Sequence, residues 1–263
     1  VLITFSIFVG VLFKKISANF SNIDYFVRTL LSRYVIFVIL PAIIVLKLPQ
    51  LELELSLLLP LLVCWGLIFI GWVIIKFLSV RFKWSRSVEG TMLLITLFGN
   101  TSFVGFPIIS AFYGEQALGF AVLYDQLGSF LSLAVVGNLI VAIYADNLPK
   151  SGKKYQVFKV VVKKVISFPP FVAIVFTLFI SDIPLPEELT SILTLISQTL
   201  IPSTMILVGY FLVFSLPPQL KNALVMSLSI KMIAFPVLTF LFFLITHQSG
   251  LIAKVTLMES AMP

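Results

Sequence analysis

Nine apolar runs follow one another along this chain, at 1–13, 25–46, 55–80, 88–113, 117–145, 160–180, 189–216, 222–246 and 250–263, with short charged connections between them. A bilayer's hydrocarbon core takes ~20 consecutive apolar residues per helix, and most of these runs reach that length. Inside hydrocarbon every backbone N–H and C=O must find its partner within the protein, so runs like these fold as helices. Charged residues make up 11% of the 263 and apolar ones 60%, which removes soluble globular folds. The chain therefore reads as an all-α polytopic membrane protein, with the lipid bilayer as its first partner. The first and last runs look incomplete. A few residues are expected to be missing before Val1, and at least one whole helix after Pro263.

The connections alternate in charge. Lys14, Lys15 and Arg28 follow the first run; Lys47, Glu52 and Glu54 the second; Lys76, Arg81, Lys83 and Arg86 the third; Glu115 alone the fourth. The fifth connection holds Lys150, Lys153, Lys154, Lys159, Lys163 and Lys164, the sixth Asp182, Glu187 and Glu188, and the seventh Lys221. Positive charge collects on the cytoplasmic side, so the odd connections are expected there and the N-terminus outside. The net charge of +7 is thus a matter of orientation and implies no nucleic acid. Cys64 is a single cysteine and His247 a single histidine, which excludes an intrachain disulfide and most metal or triad chemistry. No catalytic constellation is visible, so no enzyme, metal or cofactor is expected.

The two halves of the chain resemble each other. Pro41, in Ile39-Leu40-Pro41-Ala42, recurs as Pro202 in Leu200-Ile201-Pro202-Ser203, 161 residues later, and Pro107 recurs as Pro263, 156 residues later. Thr96-Leu97-Phe98 before Pro107 also parallels Thr256-Leu257-Met258 before Pro263. The expected organisation is a first five-helix repeat at 1–145, a cytoplasmic linker at 146–159, and a second repeat at 160–263 cut within its ninth helix. Five is odd, so the second copy would be inverted in the membrane. A tenth helix would complete it.

One stretch contradicts its surroundings. Phe98-Gly99-Asn100-Thr101-Ser102-Phe103-Val104-Gly105-Phe106-Pro107 lies in mid-span but has the composition of a loop. A helix broken there frees backbone groups in hydrocarbon, which membrane proteins accept where the break lines a cavity and the freed groups bind something. Gly99, Asn100, Thr101, Ser102 and Gly105, with Ser260 at the matching place in the second half, are the expected substrate ligands. The plainer alternative is a polar patch that only re-satisfies the broken backbone. Pro41, Pro107, Pro202 and Pro263 are the expected crossover and hinge positions.

Three ionisable residues fall at one depth. Asp125 lies 11 residues after Gly114, Lys231 lies 10 after Lys221, and Glu259 lies 9 after Gly250; at ~1.5 Å per residue each is ~14–16 Å into the bilayer. Charges so placed face the bundle interior and serve as proton relays, ion ligands or counter-charges to substrate. Asp125, Lys231 and Glu259 are thus expected to carry ion or proton coupling. A structural ion pair of Lys231 with either carboxylate is the alternative.

The Gly99 to Pro107 stretch, Ala121 to Asp125, Pro202 to Gly209, Lys231 with Pro236, and Ala261-Met262-Pro263 together resemble the auxin efflux carrier family, related to the bile acid sodium symporters. The resemblance runs over essentially the whole chain. It implies two inverted five-helix repeats whose broken fourth and ninth helices cross near the midplane, an exchange of access between a scaffold and a transport domain, and organic acids as substrates. The short 146–159 segment is similar to the bacterial permeases of the family, which implies a multi-pass protein of the bacterial inner membrane. The expected function is a secondary active transporter of small organic anions such as carboxylates, working by alternating access on a proton or sodium gradient. A membrane-embedded ligand sensor or a channel on a carrier-like fold is the alternative, and a homodimer is left open.

Overall fold

Helix follows hydropathy almost run for run. The computed structural model describes residues 2–17, 24–51, 55–144, 162–163, 165–180, 184–212 and 221–263. The linker read at 146–159 lies outside them, as do Glu52, Glu54, Asp182, Lys150, Lys153, Lys154, Lys159 and Lys164. The structure is 90% helix and has no strand among the described residues. Its helices are α1 (Leu2–Ser17), α2 (Phe26–Gln50), α3 (Leu55–Phe82), α4 (Arg86–Tyr113), α5 (Glu115–Tyr144), α6 (Pro169–Ile180), α7 (Glu187–Phe211), α8 (Lys221–Ile245) and α9 (Gly250–Ser260). Six of them, α2, α3, α4, α5, α7 and α8, are long and apolar enough to cross a membrane.

Local chemistry sets the ends. Lys83 closes α3 in the left-handed region (φ 52°), where its N–H reaches back to the carbonyls of Ser79 and Val80. Ser85 caps α4 by accepting from the Val88 N–H at 3.4 Å, and Glu89 in the first turn suits the positive end of the helix dipole. Gly114 (φ 78°) turns the chain from α4 into α5.

Prolines shape the helix interiors in a regular way. Pro41, Pro107 and Pro236 each occupy the second residue of an α-helical section. Each section is preceded by a five-residue π-type turn, at Val35–Ile39, Thr101–Gly105 and Ile230–Ala234. A proline gives no N–H and its ring crowds the carbonyl four residues back, so the preceding turn widens to i→i+5. Composition that reads as a ten-residue loop at 98–107 is thereby absorbed into helix from Thr101 onward, and the true interruption is residues 98–100.

The chain forms two compact units, each drawing on both halves of the sequence. The first contains Val1–Leu53, Ser102–Val122 and Phe168–Ser215. Here α1 and α7 pack backbone to backbone. A Cβ on Gly10 would collide with the Ile206 carbonyl and lie 2.8 Å from the Tyr210 nitrogen, and a Cβ on Gly209 would strike the Ile7 carbonyl. Glycine lets helices in lipid approach this closely, and van der Waals contact then replaces the hydrophobic drive. Polar contacts secure the ends of the pair. Lys14 Nζ donates to the Leu212 carbonyl, while the Tyr210 hydroxyl donates to Asp24 and lies 3.0 Å from Ser17 Oγ. Tyr210, and after it Arg28 at 2.6 Å, hold the exposed Asp24 carboxyl below the usual carboxylate range. Pro41 lies in the half of α2 that packs on α6 and α7.

The second unit contains Glu54–Thr101, Leu123–Ser167 and Leu216–Pro263. Its core joins α3, the first half of α4, α8 and α9 through Leu67, Ile75, Leu93, Leu97, Phe235 and Ala253. Gly71 makes room for that junction, since a Cβ there would lie 2.6 Å from the Phe235 ring and 2.7 Å from Leu97. Near the far ends of α3 and α5, Glu89 accepts from Lys76, Ser79 and Tyr144 at 2.5 Å each.

Candidate substrate site at a helix break

The first half of α4 ends at Leu97, and Phe98 follows in extended conformation (φ −116°, ψ 130°). Two residues on, the Asn100 N–H donates to the Pro263 carbonyl at 2.6 Å. The interruption of α4 thus meets the end of α9 through main-chain atoms. Gly99 explains how they come so close. A Cβ on it would strike the Met262 carbonyl and lie 2.9 Å from Lys231 Cε. This glycine admits another stretch of backbone and a lysine stem.

Around that meeting point the second unit buries an unusual set of polar groups: Thr101 (2% exposed), Asp125 (3%), Gln126 (1%), Lys231 (4%), Glu259 (0%) and Ser260 (0%). Asp125 stands on the π-type turn Tyr124–Phe130 and Lys231 on Ile230–Ala234. Wide turns of this kind re-aim side chains and are frequent at functional sites. Thr101 Oγ1 donates to Asp125 Oδ1, and Gln126 Nε2 donates to Oδ2 at 2.6 Å. Lys231 Nζ lies 5.3 Å from the centroid of the Phe235 ring, a cation–π contact. Neither oxygen of Glu259 receives a hydrogen bond among the described residues, nor does Gln126 Oε1. Glu259 lies within electrostatic reach of both Asp125 and Lys231. Cys64 and Tyr124, both buried, complete the surroundings, with Cys64 Sγ 3.9 Å from Ser129 Oγ.

Gly99, Asn100, Thr101, Asp125, Lys231, Glu259 and Pro263 thus share the second unit at this meeting point. Ser260 is adjacent, but its hydroxyl donates back to the Leu257 carbonyl at 2.6 Å. Ser102, Gly105 and Pro107 belong to the first unit, Ser102 half-buried and the other two buried, and so do Pro41 and Pro202. Pro202 is the third residue of a helical section that begins at Leu200, after a turn at Thr199. Of the two carboxylates weighed as ion-pair partners of Lys231, Glu259 takes no hydrogen bond from it; salt bridges elsewhere join Arg28 to Asp24, Lys47 to Glu115 and Lys76 to Glu89. No three of His, Cys, Asp and Glu among the described residues stand close enough to hold a metal ion.

Sequence reasoning missed Gln126. A second polar residue directly after Asp125, inside an apolar run, was the available signal. It also missed Glu89, whose partner Lys76 is 13 residues away across a helix turn and carries no local pattern.

The arrangement offers an ammonium, a carboxyl group that accepts no hydrogen bond among the described residues, and an interrupted helix, all in one unit of a multi-pass helical protein. That is equipment for holding a small polar ligand out of contact with lipid. Comparison with known proteins agrees in kind. A family profile described as "membrane transport protein", that of the auxin efflux carriers, matches residues 16–263. An uncharacterized transporter of Methanocaldococcus jannaschii is 24% identical over 190 residues, which are 69% of this chain and 58% of that protein. The chain therefore spans less than two thirds of the length of this relative.

Proposed function

The chain belongs to the membrane transport protein family, and we propose that it works as a secondary active transporter of small organic anions such as carboxylates, by alternating access, on a proton or sodium gradient. The observation that carries this reading is the meeting of two main-chain ends at 2.6 Å, Asn100 to Pro263, beside buried Asp125, Lys231 and Glu259. Broken helices that face each other give a ligand both kinds of backbone group, amide N–H for a carboxylate and carbonyl for a cation. A buried ammonium whose stem lies against the interruption in α4 favours an anion as that ligand.

The rest of the reading follows from the same features. The proline and flanking matches between the halves support two inverted five-helix repeats, 1–145 and 160–263, joined by a cytoplasmic linker at 146–159, with the fourth and ninth helices crossing. The charge of the connections supports an N-terminus outside, and the brevity of the linker a bacterial inner membrane. Gly99, Asn100 and Thr101 are the proposed substrate ligands, with Ser102, Gly105 and Ser260 as lesser candidates. Asp125, Lys231 and Glu259 are the proposed coupling groups. Pro41, Pro107, Pro202 and Pro263 are the proposed hinges.

Counterflow in proteoliposomes, run with a panel of dicarboxylates, monocarboxylates and indole acids, tests the function directly. Trans-stimulated uptake of at least one class is expected. Single-channel currents, or binding of a carboxylate with no exchange across the bilayer, would replace the transporter by a channel or a sensor.

A further inference from the structure

The second unit holds one buried ammonium and two buried carboxyl groups, and the two carboxyls are served very differently. Each oxygen of Asp125 receives a donor, from the Thr101 hydroxyl and the Gln126 amide. An ionised carboxylate is an acceptor only, so this is the surrounding an anion asks for. Glu259 is fully buried and neither of its oxygens receives a hydrogen bond. A bare anion there has only long-range help from Lys231, and Asp125 opposes it.

Lys231 gives no hydrogen bond to either oxygen of Glu259. Its stem runs past Gly99, which places Cε beside the interruption in α4 and the Met262 carbonyl. The ammonium is therefore held at the place where the main chains meet. The carboxyl group of Glu259 meets its positive charge from a distance. A second anion arriving at this ammonium would compete with Glu259 for it.

We propose that Lys231 receives the carboxylate of the substrate and that Glu259 takes up one proton each time that carboxylate binds, so that anion and proton cross together. The inference rests on the transporter reading above and names the coupling ion for it. Without substrate, the Glu259 anion faces Lys231. When the substrate carboxylate takes over Lys231, a proton from water on that side adds to a Glu259 oxygen, and it returns to water on the other side as the carboxylate departs. The other titratable groups around Glu259 are Asp125 and Tyr124 on α5, Lys231 on α8 and, next to Lys231, Cys64 on α3. Of these, Asp125 is the rival carrier.

The test is isothermal titration of the intact protein in detergent with malonate and with acetate across the neutral range, with melting curves for every variant. Wild-type affinity should weaken as pH rises, by up to about tenfold per pH unit, the limit for one linked proton. Glu259→Gln should bind at every pH as tightly as the wild type does at low pH. Asp125→Asn should keep the slope, whatever its affinity. Lys231→Gln should lose binding and Lys231→Arg should recover part of it. Choline in place of sodium should change nothing. A slope that survives in Glu259→Gln, that vanishes in Asp125→Asn, or that is absent from the wild type overturns the inference, as does a sodium requirement or normal binding by Lys231→Gln. If wild-type counterflow of carboxylates persists in any of those cases, the transporter reading stands alone. If the folded wild type neither binds nor exchanges a carboxylate, both fall. The Glu259 arm is independent of whether Lys231→Gln folds.

Discussion

At Gly99 the space for one methyl group is already occupied by the Met262 carbonyl and the stem of Lys231. Gly99→Ala should therefore force apart the contact between Asn100 and Pro263, with a loss of about 1–3 kcal/mol, as overpacking usually costs. Melting curves will show that loss, and anion binding should weaken with it. A Gly99→Ala protein of unchanged stability and affinity would mean that the contact is unimportant. Thr101→Val should cost about 1–3 kcal/mol by removing a donor from a buried carboxylate while keeping its shape, again read by melting, with Thr101→Ser restoring most of it. Much of this residue-scale picture was legible in the sequence. A glycine followed by Asn100 and Thr101 inside an apolar run signals irregular backbone, and an acidic or basic residue at mid-span signals a buried charge. Which groups meet is a different kind of fact. That Thr101 serves Asp125, 24 residues on, depends on how two helices are rotated, and no local pattern records that rotation.

The three prolines that follow π-type turns act on whole elements. In α8, Pro236 widens the turn that carries Lys231. Pro236→Ala would return an N–H to the helix and let the turn tighten. Losing one residue from the turn rotates what precedes it by about 100°, which swings Lys231 away from Gly99. The protein should melt at the same or a higher temperature yet bind anions poorly, a separation that titration and melting of one variant will reveal. The reverse is expected at the other glycine contact. Gly209→Leu has no room against the Ile7 backbone and should destabilise the protein by about 3 kcal/mol, with substrate affinity unchanged in whatever fraction remains folded. Element boundaries were largely legible, because apolar length and the charged ends of the runs both mark them; the 55–80 run became Leu55–Phe82. The width of the break was not. Composition alone treats Ser102, Gly105 and Pro107 as loop, whereas a proline whose clash is relieved by a wider turn keeps its helix.

For the molecule as a whole, orientation is the property most open to direct measurement. In a Cys64→Ser background, single cysteines replacing Lys83 and Glu187 should react with an impermeant thiol reagent from opposite sides of the membrane, as the charge of their connections requires. Labelling of both from one side would overturn the order of the spans. The two compact units show a second property of the whole chain: each is assembled from distant stretches, and neither coincides with a sequence half. Hydropathy reports spans one at a time and is silent about which spans share a unit. The pairing of α1 with α7 has a consequence in time. Lys14 and Leu212, which hold the two helices together at one end, are separated by 198 residues, and at the pace of synthesis that is a delay of about 10–40 s. Throughout that interval α1 waits for its partner, and any other small-residue helix within reach is a competitor for its glycine face. The speed of the ribosome, as well as the fit of Gly10 to Gly209, is therefore expected to bear on how often this pair of helices forms.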